Sequence, residues 1–151
     1  MSFGETREYD VDYGGRHRML LRLPPSPLLR DFLARYFVPY LTLMPATGRT
    51  GDPATAPFAT LDVRIGPPPP GDAPSFAGAP SVDIDRSKGF LACTGLVADR
   101  GDVRWVLLRP FDVVARIRRS TRDVTLWGAT DASLRVPALR LIEDLTVDEA
   151  E

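Results

Sequence analysis

Hydrophobic and polar residues alternate in two segments near the start of the chain. In the first, REYDVDY, apolar and acidic residues take turns, which is the two-residue period of a half-buried β-strand. The second, GGRHRMLLRLP, begins at Gly14-Gly15, and a glycine pair between two strands suits a tight turn. The two segments predict a β-hairpin that ends at Pro24-Pro25, because proline donates no hydrogen bond to a strand ladder.

The next segment, SPLLRDFLARYFVPYL, has the period of an amphipathic helix. Its apolar residues recur every three or four positions, which gives one wide apolar face. Ser26 can cap the first turn, and Pro27 suits the first helical position, where no N–H is needed. Pro39 marks the predicted end of the helix. The predicted apolar face consists of Leu28, Leu29, Phe32, Leu33, Tyr36 and Phe37.

The remaining pattern predicts one more strand, FATLDVRIG, and then an antiparallel meander from residue 81 to the segment DVTLWG. The last segment, DASLRVPALRLIEDLTVDEAE, is predicted to form a final helix that is entered near Pro137. By composition, residues 45–57 and 66–80 are long loops, and the second contains GPPPPGDAP, a stiff polyproline II sequence. This order predicts a single α+β domain over residues 1–151, with a mainly antiparallel sheet and two packed helices. The predicted stripe of the last helix is Ala138, Leu141, Ile142 and Leu145.

Composition narrows the function classes. The formal net charge is −1, so no overall field attracts nucleic acid or an anionic membrane, and neither is expected as a partner. The chain lacks a signal-peptide pattern and any apolar run of about 18 residues, and its single cysteine, Cys93, excludes an intrachain disulfide. These features favour a cytoplasmic protein. Lys88 is the only lysine, and a GC-rich coding sequence would give many arginines and few lysines without any functional demand. The number of arginines is therefore by itself weak evidence for anion binding.

Motifs for catalysis are missing. The chain has no P-loop, no G-x-G-x-x-G, no G-x-S-x-G and no H-E-x-x-H sequence, so no catalytic residue, cofactor or metal is predicted. The single histidine, His17, could act as a base oriented by Asp10 or Asp12, but a surface histidine is the favoured interpretation. Asp83 and Asp85 could hold Mg²⁺, but a solvated strand face is favoured.

Arginines are concentrated between residues 100 and 122. Arg116 and Arg118 should share one strand face, with other arginines in the preceding strand and the following turn. Guanidinium groups pair with carboxylates and phosphates, so this face is the predicted contact for an acidic partner. The residues assigned to it are Arg104, Arg116, Arg118, Arg119 and Trp105. The alternative is an ordinary salt-bridged sheet surface, because nearby aspartates offset much of the arginine charge. A further possibility is base stacking, which the interleaved aromatic residues Trp105, Phe111 and Trp127 would suit.

The segments SVDIDRSKGFLACTGL, LLRPFDVVARI and ALRLIEDLTVDEAE resemble, in pattern and order, the N-terminal region of bacterial HPr kinase-like proteins. That resemblance implies an α/β leader domain that precedes a P-loop kinase core, so no catalytic residue of the family maps onto this chain. The acidic ending TVDEAE does not offset the partial negative charge of a helix C-terminus, as expected if the natural helix continued past Glu151.

The leading functional hypothesis is therefore a non-catalytic domain that positions a kinase core, a peptide or a protein substrate. Contact could occur through the arginine face or by addition of a strand to a sheet edge. One alternative is a small enzyme or ligand-binding protein with an anion pocket between sheet and helices. Another is a structural subunit, which would expose an apolar patch on its first or last helix. The oligomeric state stays open.

Overall fold

The computed structural model describes residues 7–13, 17–37, 41–45, 59–78, 81–83, 94–109 and 111–150. This part of the chain forms nine β-strands and two α-helices. The strands are β1 (Arg7–Tyr13), β2 (His17–Leu23), β3 (Leu41–Pro45), β4 (Ala59–Ile65), β5 (Ser81–Asp83), β6 (Thr94–Arg100), β7 (Val103–Arg109), β8 (Val113–Arg118) and β9 (Asp123–Gly128). The helices are α1 (Pro27–Phe37) and α2 (Asp131–Ala150).

The described strands form one mixed sheet in the order β3-β1-β2-β4-β9-β8-β7-β6-β5. Strand β4 runs parallel to both of its neighbours, β2 and β9. The other described neighbours are antiparallel. The α+β class is thus confirmed. Six of the eight described strand pairs are antiparallel, as the expectation of a mainly antiparallel sheet requires, but the sheet is mixed, and the two parallel pairs of β4 were not predicted. Alternation assigns residues to a face and carries no information on strand direction, and both parallel pairs close long crossover connections.

Both helices pack on the same face of the sheet. They contact each other, and α2 also contacts β4, β8 and β9. Leu29 and Leu33 of α1 and Leu134 and Ala138 of α2 belong to the same buried cluster as the sheet residues of this face. The sheet contributes Tyr9, Val11, Met19, Leu21, Leu23, Ala59, Leu61, Val63, Val106, Leu108, Val113, Ala115, Val124 and Leu126. The opposite face, which neither of the two described helices covers and which we call the helix-free face, contains the alternate residues.

The start of α1 confirms the predicted cap. The Leu29 amide donates to Ser26 Oγ at 3.3 Å, and Pro27 is the first helical residue. The predicted apolar face was too wide, because Leu28 is 63% exposed while Leu29 and Leu33 are fully buried. The side chains of Tyr36 and Phe37 lie outside the described part of the chain.

The start of α2 corrects the sequence prediction. The helix begins at Asp131 and includes Pro137, the residue that the sequence pattern makes the entry point. The residues that cap its N-terminus are Thr130 and Ser133. The Ser133 amide donates to Thr130 Oγ1 at 3.1 Å, and the Thr130 amide donates to Ser133 Oγ at 3.3 Å. This reciprocal capping occupies donors that a helix start leaves free, with serine where glutamate is usual. Ser26 Oγ also donates to Asp131 at 2.9 Å, which joins the two helix starts.

Several other predictions have mixed outcomes. The hairpin is confirmed by the antiparallel register of β1 and β2, although its Gly14-Gly15 turn lies outside the described residues. Strand β3 was missed because prolines flank it; Pro45 is tolerated at the end of an edge strand. Residues 46–58, Asp85, Lys88 and Cys93 also lie outside the described part. Ala138 of the predicted last stripe is buried, Leu141 packs against the core, and the side chains of Ile142 and Leu145 are not described.

None of the described helices combines the length and the apolarity needed to span a membrane.

Candidate functional site

The predicted site residues are divided between the two sheet faces. Trp105 lies directly opposite Arg116 in the register of β7 and β8, on the helix-free face. Arg118 follows two positions after Arg116 on β8 and therefore shares that face, as predicted. Arg104, by contrast, lies opposite Ile117, which packs against the helix-side core. Arg119 follows the end of β8. The five residues therefore do not form one continuous surface.

Arg104 and Arg119 share one carboxylate. Asp99 accepts hydrogen bonds from Arg104 Nε at 2.7 Å and Arg104 Nη2 at 3.0 Å. Arg119 Nη2 lies 3.3 Å from the same Asp99 carboxylate. These charges are matched within the protein, as the salt-bridged interpretation of the arginines expects. The hydrogen bond from Arg104, followed by the positive charges of Arg104 and Arg119, lowers the pKa of Asp99 below its ordinary value.

We expect the pKa of Asp99 to rise toward its ordinary value in an Arg104→Gln variant. Arg119→Gln should have a smaller effect, because Arg104 makes the dominant interaction. Because the folded-state pKa is depressed, the stabilising contribution of Asp99 is present above its unfolded-state pKa and is lost as the pH falls through the folded value. NMR titration of the Asp99 carboxyl carbon measures both shifts, and an unchanged midpoint in Arg104→Gln would contradict the assignment.

On the helix-free face, Trp105, Arg116 and Trp127 form what we call the tryptophan–arginine cluster. The two rings stack with centroids 5.9 Å apart and planes inclined by 15°. Arg116 Cζ lies 5.8 Å from the Trp105 centroid and 5.2 Å from that of Trp127. Arg116 Nη2 also approaches Thr125 Oγ1 at 3.4 Å. Two cation–π contacts, both within the limit of about 6 Å, thus favour the observed orientation of this guanidinium.

A proline-rich segment crosses the helix-free face, and we call residues 66–78 the strap. It leaves the sheet at the end of β4, where the Gly66 amide donates to the Gly128 carbonyl at 2.8 Å. Further on, the Asp72 amide donates to the Pro69 carbonyl at 3.2 Å, and Gly71 has a φ of +85°. Proline followed by glycine at positive φ is the signature of a type II turn, here with Pro70 and Gly71 at its centre.

The strap turn and the sheet border a shallow, open recess of about 400 Å³. It is lined by Gly71, Asp72, Arg100, Val103, Trp105 and Arg116. Arg100 was not among the predicted site residues. It is the last residue of β6 and lies opposite Val103 of β7. Val103 is two positions before Trp105, so Arg100 lies on the same sheet face as Trp105 and Arg116. This residue could have been found from the sequence by continuing the strand alternation back through the Gly101 turn.

The recess favours an anion. Within the described part of the chain, no carboxylate forms an ion pair with Arg100, Arg116 or Arg118. On the same face, by comparison, Arg64 is already paired with Asp62 at 2.8 Å. The recess lining thus presents two guanidinium groups and one carboxylate, that of Asp72. Two cations within reach of one site suit a carboxylate or a similar anion.

The tryptophan rings of this cluster present no exposed face on which a nucleic-acid base could stack. Trp105 and Trp127 are 4% and 3% exposed and already stack on each other. Phe111 packs against the helix-side core.

The described geometry gives no support to His17 as a general base or to Asp83 and Asp85 as a Mg²⁺ site. The backbone of His17 lies on β2, three strands from β8, which is roughly 14 Å at ordinary strand spacing. In the register, His17 lies opposite Tyr13, while Asp12 lies opposite Arg18 and Asp10 opposite Leu20. The Asp83 and Asp85 pair cannot be placed, because Asp85 lies outside the described residues.

Comparison of the chain with protein-family models, with curated proteins and with solved structures finds no match in any of the three. The chemistry of the tryptophan–arginine cluster and its recess is therefore what points to a function.

Proposed function

We propose that this protein is a non-catalytic binding domain that recognises an acidic protein or peptide partner through the recess beside the tryptophan–arginine cluster. The observation that carries the proposal is the state of Arg116. Its guanidinium is held over two tryptophan rings, 5.8 and 5.2 Å from their centroids, yet it forms no ion pair with a carboxylate among the described residues.

A guanidinium held in this way is prepared for a ligand. Arginine loses rotamer freedom when it binds an anion, and the two rings have already removed part of that freedom in Arg116. Val103 and Trp105 give the recess one apolar wall, against which the aliphatic part of an acidic side chain could pack. A hydrogen bond to a charged group contributes about 1.5–3 kcal/mol, so one acidic side chain of a partner could supply a useful share of the affinity.

The recess also separates this proposal from the two other hypotheses. It lies on the helix-free face, whereas the enzyme or ligand-binding hypothesis places its pocket between sheet and helices. There Leu29, Leu33 and Leu134 are fully buried, and the cavity beside the start of α1, of about 100 Å³, is smaller than the recess. Of the two arginines that line this cavity, Arg30 is already paired with Asp31 at 2.9 Å. The structural-subunit hypothesis requires an exposed apolar patch. Among the described residues, the large apolar side chains that are exposed are Leu28 and Ile65, one on α1 and one on β4.

The resemblance to the leader region of HPr kinase-like proteins gives the proposal a setting. In that setting the domain is cytoplasmic, and its acidic partner is a kinase core, a peptide or a protein substrate. The proposed contact residues are then Arg100, Arg116 and Trp105, with Arg118 adding attraction from the same face. Arg104 and Arg119 are not proposed as contacts, because both are paired with Asp99.

A hexaglutamate peptide at low salt tests the proposal. Both tryptophans of the chain belong to the cluster, so intrinsic fluorescence reports on this site alone, and calorimetry gives an independent affinity. We expect Arg116→Gln to weaken binding by about tenfold or more, which corresponds to about 1.4 kcal/mol. Arg116→Lys should retain only part of the affinity, because lysine keeps the charge and loses the planar fork.

Arg109→Gln is the matched control. It removes the same charge from the same face of the neighbouring strand, at the opposite end of β7 from the recess. Its affinity for hexaglutamate should equal that of the wild type. Equal affinities of wild type and Arg116→Gln, including no binding by either, would contradict the proposed function.

A further inference from the structure

We propose that the strap is an internal competitor for the recess: Asp72 occupies the region where a partner's carboxylate would bind, and the partner binds by displacing the strap turn. This inference rests on the proposed function and adds a mode of regulation to it. The strap turn and an acidic segment of the partner would then compete for the same recess.

The path of the strap follows from the topology. Strand β4 lies in the middle of the sheet and β5 at its edge, with β9, β8, β7 and β6 between them. The connection from β4 toward β5 must therefore pass across four strands. The helices cover one face, and Gly71 and Asp72 line a recess on the other. The strap thus runs over the face that contains the tryptophan–arginine cluster.

One hydrogen bond joins the start of the strap to the sheet, and two others lie within the strap. Its described hydrogen bonds are Gly66 to Gly128 at its start, Asp72 to Pro69 in the turn, and Ala77 to Ser75 Oγ. The prolines before the turn stiffen the segment, since each fixes its own φ near −65°. Pro69, Pro70, Gly71 and Asp72 are all exposed, so the turn lies over the recess without being buried in it.

Asp72 is close enough to line the recess and too far to form a contact ion pair. No nitrogen of Arg100 or Arg116 lies within 4.0 Å of its carboxylate, since no such pair occurs among the described residues. An exposed charge at this separation attracts only weakly. Its effect on a second carboxylate is repulsion, so a partner's acidic group gains most when Asp72 moves away.

Closure of the strap and binding of the partner therefore oppose each other. A partner that binds only the open state shifts the equilibrium toward that state, and a change that weakens closure raises the partner's affinity in proportion to the increase in the open fraction. Opening of the turn would also expose Trp105 beneath it to small solutes in solution.

Two strap variants test the inference, with hexaglutamate as the probe. Asp72→Asn removes the competing charge, and we expect its affinity to rise about two- to fivefold. Gly71→Ala strains the turn, because an L side chain rarely adopts a φ of +85°, although its Cβ would meet nothing within 4 Å. We expect Gly71→Ala to raise both hexaglutamate affinity and quenching of tryptophan fluorescence by acrylamide.

Gly78→Ala is the matched control for strain. Gly78 lies in the same strap, has a φ of +73° and also has open space around it, but it does not line the recess. We expect its affinity and its acrylamide quenching to match the wild type. A rise equal to that of Gly71→Ala would show general loosening of the strap and would overturn the role of the turn.

The outcomes separate the two proposals. If Arg116→Gln weakens hexaglutamate binding while Asp72→Asn and Gly71→Ala leave the affinity unchanged, the proposed function stands and the strap inference is wrong. A weaker affinity in Asp72→Asn would also overturn it, because Asp72 would then help to hold the ligand. If affinity is the same in wild type and Arg116→Gln, the recess is not the binding site and both proposals fail.

Discussion

Replacement of Trp127 by alanine is expected to lower the free energy of unfolding by about 3–5 kcal/mol, the range for a buried aromatic residue. Trp127 is 3% exposed although it lies on the face without helices. Its ring stacks on Trp105, and Arg116 lies 5.2 Å from its centroid, so the variant loses buried area, ring stacking and one cation–π contact. Urea unfolding followed by far-UV circular dichroism measures the change.

Trp127→Phe provides the comparison, since it keeps an aromatic ring in the same position. We expect it to cost less than half as much as Trp127→Ala. The alanine variant should also bind hexaglutamate more weakly than the wild type, because Arg116 loses one of the two rings that orient it. A loss of stability below about 1 kcal/mol would indicate an exposed position and would contradict the burial of this ring.

Gly128→Ala is expected to destabilise the protein by about 1–3 kcal/mol through overpacking. A Cβ atom at this position would lie 2.7 Å from Leu134 Cγ and 2.8 Å from Leu134 Cδ2. Leu134 is fully buried, so it has little room to move away. The glycine is needed here because the first turn of α2 lies directly against the end of β9.

A double-mutant cycle with Leu134→Ala isolates this contact. Leu134→Ala alone should cost about 2–5 kcal/mol, because it leaves a cavity in the core. In that background the methyl group that Gly128→Ala adds no longer meets the Leu134 side chain and keeps only the 3.1 Å approach to Ser133 Oγ, so the further cost of this substitution should be much smaller than in the wild type. Chemical denaturation of the four proteins gives the coupling energy. Additive effects would contradict a direct contact between the two positions.

Patterns confined to one element could be predicted from the sequence. The hairpin of β1 and β2 follows from alternation, and the start of α1 follows from Ser26 and Pro27, because caps act within one turn. The start of α2 shows the limit of the same reasoning. Pro137 is a strong local signal, and it outweighed the weaker Thr130 and Ser133 pair that begins the helix.

The candidate site depended on information that alternation does not contain. The shared face of Arg116 and Arg118 could be predicted, since both lie on one strand. The opposite orientation of Arg104 could also have been read from its position next to Trp105 in β7. The stacking of Trp105 on Trp127 required the registers of three strands, and the approach of the strap required the strand order. Both depend on contacts between residues that are distant in sequence.

The position of β4 has a consequence for how the chain folds. The strands on one side of it, β1 and β2, and those on the other, β6 to β9, pair mostly with sequence neighbours and can form early as local hairpins. The two parallel pairs of β4 join these halves across long stretches of chain, so their loop-closure entropy is lost late. We therefore expect the two parallel pairs of β4 to form last in refolding. Substitutions of buried residues in β4, such as Leu61→Ala, should then accelerate unfolding more than they slow folding.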